Sequence, residues 1–253
     1  SASSSVVVPV SADTTVSEAQ LVVENVEDMA AKNMTLTVQA GSVSYNIPTK
    51  AVDTAEIMKD LGASDPAQVP VTVTITQLEP TDVTIKNGTL VIPPVEFTVT
   101  ATYGDKTYEV ESFANYVSRV ITIPSGVDAA KITTAVVVEN GKERHVPTYV
   151  YMSGGVWYAK INSLTNSTYA LVYNTASFTD SKNTWYDAAV TEMASRMIIN
   201  GVGGGRFEGG RSITRAEFAS IIVRALGLPQ NGSASAFKDV PSGAWYAGAV
   251  GKA

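Results

Sequence analysis

Residues 213–228 read ITRAEFASIIVRALGL, and this stretch decides how the chain is parsed. Thr214 and Glu217 stand at the T-x-x-E spacing of a capping box. In that arrangement the threonine oxygen accepts from a first-turn amide and the glutamate reaches back to the amide of the cap. Phe218, Ile221, Ile222, Ala225 and Leu226 follow at helical spacing and predict one apolar stripe. Gly227 suits a left-handed C-terminal residue and Pro229 stops continuation. The stretch is a short amphipathic helix with both ends marked.

Working outward, Phe178 and Asp180 are followed by Trp185, Ala189, Met193 and Met197 at i, i+4 spacing. They predict a second amphipathic helix, joined to the first by the glycine-rich turn GVGGGRFEGG at 201–210. The pattern then begins again. Phe178, Asp180, Trp185, Tyr186, Ala189 and Val190 match Phe237, Asp239, Trp245, Tyr246, Ala249 and Val250, at an offset of 59 residues for the first two and 60 for the others. A period of that size is the mark of a repeat array.

The sequence F-x-D…W…A…G-x-G-x-F…ITRAEF…RALGL resembles an S-layer homology (SLH) repeat, over about residues 178 to 230, with a second repeat starting near 237. The resemblance implies an all-α repeat that anchors an exported protein, without covalent linkage, to secondary cell-wall polysaccharide, often through pyruvylated terminal sugars. It implies three repeats packed together, with binding grooves between neighbours. It places Arg215 against the sugar carboxylate and puts Trp185, Asp180 and Gly201 at the matching first-helix and turn positions. Thr214 and Glu217 are structural. Arg215 also has a reading of its own, since a guanidinium in a first helical turn joins the unpaired amides of a helix N-terminus in attracting anions. Trp185 has two readings, a core aromatic or the amphipathic wall of a sugar site. Two departures stand out: Glu208-Gly209-Gly210 replaces a proline-containing turn and is expected to loosen the approach to Thr214, and the second repeat stops before a TRAE helix of its own.

The preceding residues have a different period. Thr35-Leu-Thr-Val38, Val71-Thr-Val-Thr-Ile-Thr76 and Phe97-Thr-Val-Thr-Ala-Thr102 alternate apolar and hydroxyl side chains, as half-buried strands do. One helix is expected at Thr54 to Leu61, ended by Gly62, and Asn87-Gly88 and Asn140-Gly141 are expected turns. Many short strands without crossover helices mean an antiparallel sandwich or barrel. The segments Arg119-Val-Ile-Thr-Ile-Pro, Lys131-Ile-Thr-Thr-Ala-Val and His145-Val-Pro-Thr resemble the β module that precedes SLH repeats in surface proteins of Paenibacillus-like bacteria. The fold class expected is thus multi-domain: antiparallel, all-β, sandwich-like modules, then one all-α SLH repeat and the start of another. The segments are a linker at 1–15, β module parts at 16–110 and 111–175, the repeat at 176–232 and a truncated repeat at 233–253. The truncated repeat is expected either to bury Trp245 and Val250 against the first repeat or a neighbouring molecule, or to leave them disordered, and an exposed apolar helix of this kind promotes self-association.

Charge and composition narrow the function. The chain has 253 residues, no cysteine and a net charge of −6. From Phe178 onward eight Lys/Arg face six Asp/Glu, while the preceding part has ten against eighteen, a net of −8. Five of the seven arginines lie in the repeat region, which suits an anionic ligand there. Nucleic acid is not an expected partner of an acidic chain without a basic-aromatic stripe. No apolar run is long enough to span a membrane and no cleavable leader is expected in the opening residues. The only histidine is His145, and no G-x-S-x-G elbow, zinc ligand set, calcium loop or nucleotide-type glycine motif occurs, so neither catalysis nor a metal or cofactor is expected. His145 itself is expected on a strand or hairpin surface. The main reading is a secreted, non-catalytic segment that anchors a larger protein to the cell wall. The alternative is a carbohydrate-binding or adhesin β module, or an accessory part of a secreted polysaccharide-degrading enzyme. Tyr149, Tyr151, Trp157 and Tyr158 are its candidate exposed aromatics, and the same residues suit cross-strand packing.

Overall fold

The structure is a computed structural model and describes residues 4–11, 14–139, 141–230, 232–233 and 237–253. Its strands are β1 (Ser5–Val10), β2 (Val16–Val22), β3 (Thr35–Ala40), β4 (Val43–Pro48), β5 (Pro70–Gln77), β6 (Thr89–Leu90), β7 (Val95–Tyr103), β8 (Lys106–Glu109), β9 (Ser112–Thr122), β10 (Thr134–Glu139), β11 (Lys142–Val146), β12 (Thr148–Ser153), β13 (Val156–Thr165) and β14 (Ser167–Tyr173). Its helices are α1 (Val23–Ala31), α2 (Thr54–Leu61), α3 (Asp187–Ser195), α4 (Arg215–Ala225) and α5 (Ala247–Val250). Two compact units result. The first comprises Ser1–Thr84, Ile92–Ala129 and Thr148–Ala170, the second Ile85–Val91, Ala130–Pro147 and Leu171–Ala253.

The first unit is a β sandwich. One layer is the six-stranded sheet β1-β3-β4-β9-β13-β12, antiparallel except for the parallel pair β1–β3. The other contains β2, β5 and β7 side by side, with β8 and Ser167–Tyr169 both paired to β7. The period-two pattern gives this directly. In β5, Val71, Val73 and Ile75 are buried while the threonines between them face outward, and Phe97, Val99 and Ala101 do the same in β7. Each such aliphatic side chain stabilises the fold by about 1.5–3 kcal/mol relative to exposure.

Arg119 enters this core. It lies in the inward register of β9 with Val117 and Ile121 and has no exposed surface. Its guanidinium packs on the rings of Tyr169, Tyr45 and Phe97, with centroids 4.4, 4.8 and 5.3 Å away. It donates to the Thr165 carbonyl at 2.7 Å, the Val117 carbonyl at 3.1 Å and the Tyr45 hydroxyl at 3.3 Å, while Nε finds no acceptor. Aromatic faces and carbonyls thus take the place of a carboxylate, an arrangement that suits a planar, weakly hydrated guanidinium. Burial pushes the Tyr45 phenol pKa above its ordinary value.

Several expectations change here. The opening residues expected as linker contain β1, whose Ser5–Val10 pairs in register with Thr35–Ala40. The one helix expected in the β-rich part was Thr54 to Leu61, and a further helix, α1, starts at Val23. Its valines suggest strand, but Val23 and Val26 fall on one helical face, and both are buried. The Asn25 side chain accepts from the Val22 amide at 3.2 Å, and Asn33 ends the element with φ +54. The helix α2 forms where expected, capped by Asp53 and ended by Gly62 at φ +70. Asn87-Gly88 makes a bend before β6. The turn expected at Asn140-Gly141 falls between β10 and β11; Asn140 lies outside the described residues and Gly141 has φ +69. Strands β3 and β4, from 16–110, share a sheet with β9, β12 and β13, from 111–175.

The second unit begins in strands. Hairpin β10–β11 pairs Ala135 with Val146, the Thr133 amide donates to the Val172 carbonyl at 2.9 Å, and Thr89 and Leu90 pair with Tyr173 and Val172. Helix α4 is fixed on β11 by its C-terminus. The Gly227 amide donates to the Arg224 carbonyl and the Leu228 amide to the Val223 carbonyl, both at 2.9 Å, the two bonds of a Schellman motif. Gly227 has φ +61, and a Cβ there would stand 2.7 Å from Pro147 Cδ, so only glycine closes the approach. Arg144 donates to the Gly227 carbonyl. His145 is buried rather than on a surface. It contacts Thr134 Oγ1 through Nδ1 at 2.7 Å and bonds the Ala225 backbone. Burial, then Arg196 and Arg144, lowers its pKa to about 4.

Candidate functional site

The TRAE segment forms the capping box its spacing predicts. Thr214 Oγ1 accepts from the Glu217 amide at 3.2 Å, and the Glu217 carboxylate accepts from the Thr214 amide at 2.8 Å. The second fastening was not legible in the sequence. Arg211 grips Glu217 with both terminal nitrogens, at 2.6 and 3.3 Å, and lies 3.7 Å from Glu208. Arg211 and Glu217 stand six positions apart, which matches no helical pairing rule. The Arg211 bond, followed by the Thr214 bonds, lowers the Glu217 pKa to about 2. The turn at Glu208 is closed, not loosened: the Arg211 amide donates to the Glu208 carbonyl at 2.9 Å and Glu208 takes φ +58.

Asp180 works on the glycine-rich loop. Its two carboxylate oxygens accept from the Phe207 and Glu208 amides, each at 2.8 Å, and Arg206 lies 3.9 Å away. These amides hold the Asp180 carboxyl below its ordinary pKa. Gly201 starts the same loop. A Cβ there would stand 2.4 Å from the Arg206 carbonyl oxygen and 2.7 Å from the Phe178 ring. Asp180 and Gly201 together fold the loop back on Phe178, which is buried with Val190 and Ala194 beside Tyr186, Ile199 and Phe207.

The helix faces differ from the stripes read in the sequence. In α3 the buried positions are Val190, Ala194 and Ser195; the first two lie one residue along from Ala189 and Met193, and Ile198 extends that face beyond the helix. Met197 lies past the helix end with φ +63. Trp185 precedes α3 and is 94% exposed, so it is no core aromatic. In α4 the buried residues are Ser220 and Val223, while Phe218 is 58% exposed and Ile222 and Leu226 are exposed with it. Of the α4 stripe Phe218, Ile222 and Leu226 are thus exposed and Ile221 and Ala225 half-buried, because the narrower Ser220–Val223 side meets the rest of the unit.

The segment from Phe237 onward repeats the geometry of the one from Phe178. Trp245 and Tyr246 meet at 5.4 Å with planes at 88°, and Trp185 and Tyr186 at 5.5 Å and 88°, so the motif repeats in geometry. Yet Trp245 is 63% exposed against 94% for Trp185. Trp245 lines a groove of about 340 Å³ with Gly201, Arg211, Glu217, Ile221 and Arg224 of the first repeat. Arg215 lines a second cleft, of about 530 Å³, with Phe218, Phe237, Asp239, Tyr246 and Val250. Ala247 and Ala249 are buried. Of the four expected ligand residues, Gly201 lies in the first groove and Arg215 in the second. Asp180 and Trp185 line neither. Arg211, Arg224 and Trp245 are the groove residues that sequence reasoning missed. The 60-residue offset that equates Trp245 with Trp185 was the available signal for the last of them.

Residues 177–219 match the S-layer homology domain. The chain is 34% identical over 116 residues to an endo-1,4-beta-xylanase A of Thermoanaerobacterium saccharolyticum, covering 44% of this chain and 10% of the xylanase. It is 46% identical over 57 residues to an S-layer-related protein of Niallia circulans, 22% of this chain and 4% of that protein. It is 35% identical over 116 residues to a surface layer protein of Brevibacillus choshinensis, 40% of this chain and 10% of the relative. The chain thus spans a tenth or less of these three relatives. No solved structure matches it. Among the described residues no helix is long and apolar enough to cross a membrane.

Proposed function

From the premise that residues 177–219 are an S-layer homology domain and that the chain is a secreted, cell-wall-associated surface segment, we propose that the repeat unit binds an anionic wall polysaccharide and so anchors a larger protein. The observation that carries this is the 340 Å³ groove. It is built from the loop and α4 of one repeat and the Trp245 of the next, and Arg211 and Arg224 line it beside an indole. An indole offers an apolar face and an N–H donor to a sugar ring, and a guanidinium fork matches a carboxylate. Arg215, at the first turn of α4, adds an exposed cation at a helix N-terminus in the adjoining cleft. Each further repeat would extend the array, so neighbouring repeats are partners as well.

The larger protein has a suggested class. Relatives named endo-1,4-beta-xylanase A, exoglucanase XynX and amylopullulanase match over 116, 116 and 84 residues. We propose that the chain can serve as the non-catalytic wall anchor of a secreted polysaccharide-degrading enzyme. Sedimentation of the chain with purified secondary wall polymer tests the anchoring. The chain should sediment with untreated polymer and much less with polymer stripped of its acidic groups. Failure to sediment with either would remove the proposal.

A further inference from the structure

The edge strand of the first unit carries a tyrosine ladder that neither the sandwich core nor the repeat grooves use. Strand β12 ends the six-stranded sheet. Tyr151 stands opposite Tyr158 and Tyr149 opposite Lys160, on the face away from the buried Ala159 and Ile161. The Tyr149 and Tyr151 rings are 5.5 Å apart with planes at 12°, and Tyr151 and Tyr158 are 5.4 Å apart at 22°. Tyr149 is the end ring and is 66% exposed. Register carries the same outer face across the sheet: Lys160 pairs with Val120, Val120 with Ser44, and Ser44 with Gln39. The neighbouring row runs Asn162, Ser118, Asn46, Thr37. Beside the ladder there are therefore hydroxyls and amides, and Lys160 is the only charge in these rows.

We propose that Tyr149 and Lys160 form a glycan-binding site on this edge, occupied by a neutral polysaccharide and independent of the repeat grooves. Cross-strand packing accounts for Tyr151 against Tyr158. It does not account for a third ring stacked at the end with its outer face open to water. That ring is held by Tyr151, so little rotamer freedom remains to be lost on binding. A flat ligand with an apolar face and a polar rim fits it. The C–H face of a pyranose packs on the ring, and its hydroxyls reach the phenol and the Lys160 ammonium. A nucleobase also stacks, but its phosphate chain meets a protein of net charge −6, whose residues before Phe178 count ten basic against eighteen acidic. Nucleic-acid affinity rests on many cationic phosphate contacts, and these rows supply one lysine. Charge therefore selects the neutral glycan.

Native-gel affinity electrophoresis of the full chain tests this, with soluble xylan, soluble glucan or a single-stranded oligonucleotide as the probe. At least one neutral glycan should retard the chain. Tyr149→Ala should weaken that retardation about tenfold, the scale of one lost aromatic contact, and Tyr149→Phe should keep most of it. Melting of all three should coincide, which separates binding from a purely structural ladder. No retardation by either glycan overturns the proposal. So does equal retardation of Tyr149→Ala, or retardation by the oligonucleotide alone. Self-association lost in Tyr149→Ala, without glycan binding, assigns the edge to a second copy of the chain and overturns it as well.

Discussion

The two units use arginine in opposite ways. The first seals Arg119 between three aromatic rings, away from water and from any carboxylate. Apart from Arg144, which is largely buried and held by Glu139 and the Gly227 carbonyl, the second keeps its arginines at the surface or in clefts. Arg211 is forked on Glu217, Arg206 lies beside Asp180 and Glu208, and Arg215 is exposed at a helix start. A guanidinium that has lost its water and exchanged it for fixed partners adds rigidity and is unavailable to a ligand. One held at the surface adds little to stability and can trade its contacts. The contrast fits a structural role for the first unit's core and the binding proposed for the second.

The largest expected effect tests the sealed side. Arg119→Ala removes the ring contacts, leaves a cavity, and takes one donor from the Val117 carbonyl and one from the Thr165 carbonyl, which keeps the Tyr169 hydroxyl. A loss of about 4–5 kcal/mol is expected in denaturant unfolding. A loss below about 1 kcal/mol would mean that the rings and carbonyls do not depend on this residue, and the contrast would collapse. On the open side, Arg215→Ala should weaken wall-polymer binding by about 1.5–3 kcal/mol while unfolding stays within about 0.5 kcal/mol of the parent. Equal sedimentation of the two proteins would take Arg215 out of the site.

His145 supplies a sign as well as a size. Its native pKa of about 4 lies below the ordinary 6.5, so the unfolded chain binds the extra proton between these values. The stabilising contribution is full above about pH 6.5 and is lost as pH falls toward 4. About 1–3 kcal/mol of stability should disappear across that window, and His145→Gln should flatten this part of the pH–melting curve. Stability that rises on acidification there would contradict a buried neutral imidazole. A smaller change is expected at the cap. Thr214→Ala removes one accepted amide bond and should cost about 1 kcal/mol, with polymer binding falling only in step with helix loss.

The sequence reading succeeded where one local rule determined the outcome. The capping box at Thr214 and Glu217, the glycine stops at Gly62 and Gly227 and the alternation in β5 and β7 involve neighbouring residues and simple stereochemistry. It failed where burial depended on distant partners. Ala189 and Val190 are both apolar, and only the position of Phe178 and Phe207 decides that Val190 turns inward. The stripe from Phe218 to Leu226 is correctly spaced, but nothing within the helix says which face finds a neighbour. Arg119 was legible in part, since it occupies the apolar register between Val117 and Ile121. Its cage is not, because Tyr45, Phe97 and Tyr169 come from three other strands. Arg211 paired with Glu217 across a turn leaves no periodic trace.

The smallest expected effect comes from the more conspicuous tryptophan. Trp185 matches the repeat motif, but it is 94% exposed and lines neither cleft, while its ring meets Tyr186 edge-on. Trp185→Ala should therefore shift stability by no more than about 0.5 kcal/mol and leave polymer binding by this chain unchanged. Trp245→Ala, at the equivalent position of the next repeat, should weaken binding by about 1 kcal/mol, because it removes the aromatic wall from the groove that holds Arg211 and Arg224. The two substitutions are chemically identical and differ only in whether a preceding repeat stands beside the indole. Equal losses in sedimentation would show that each tryptophan acts within its own repeat. A loss confined to Trp245→Ala would establish that a groove requires two consecutive repeats, with the loop and α4 supplied by one and the indole by the next.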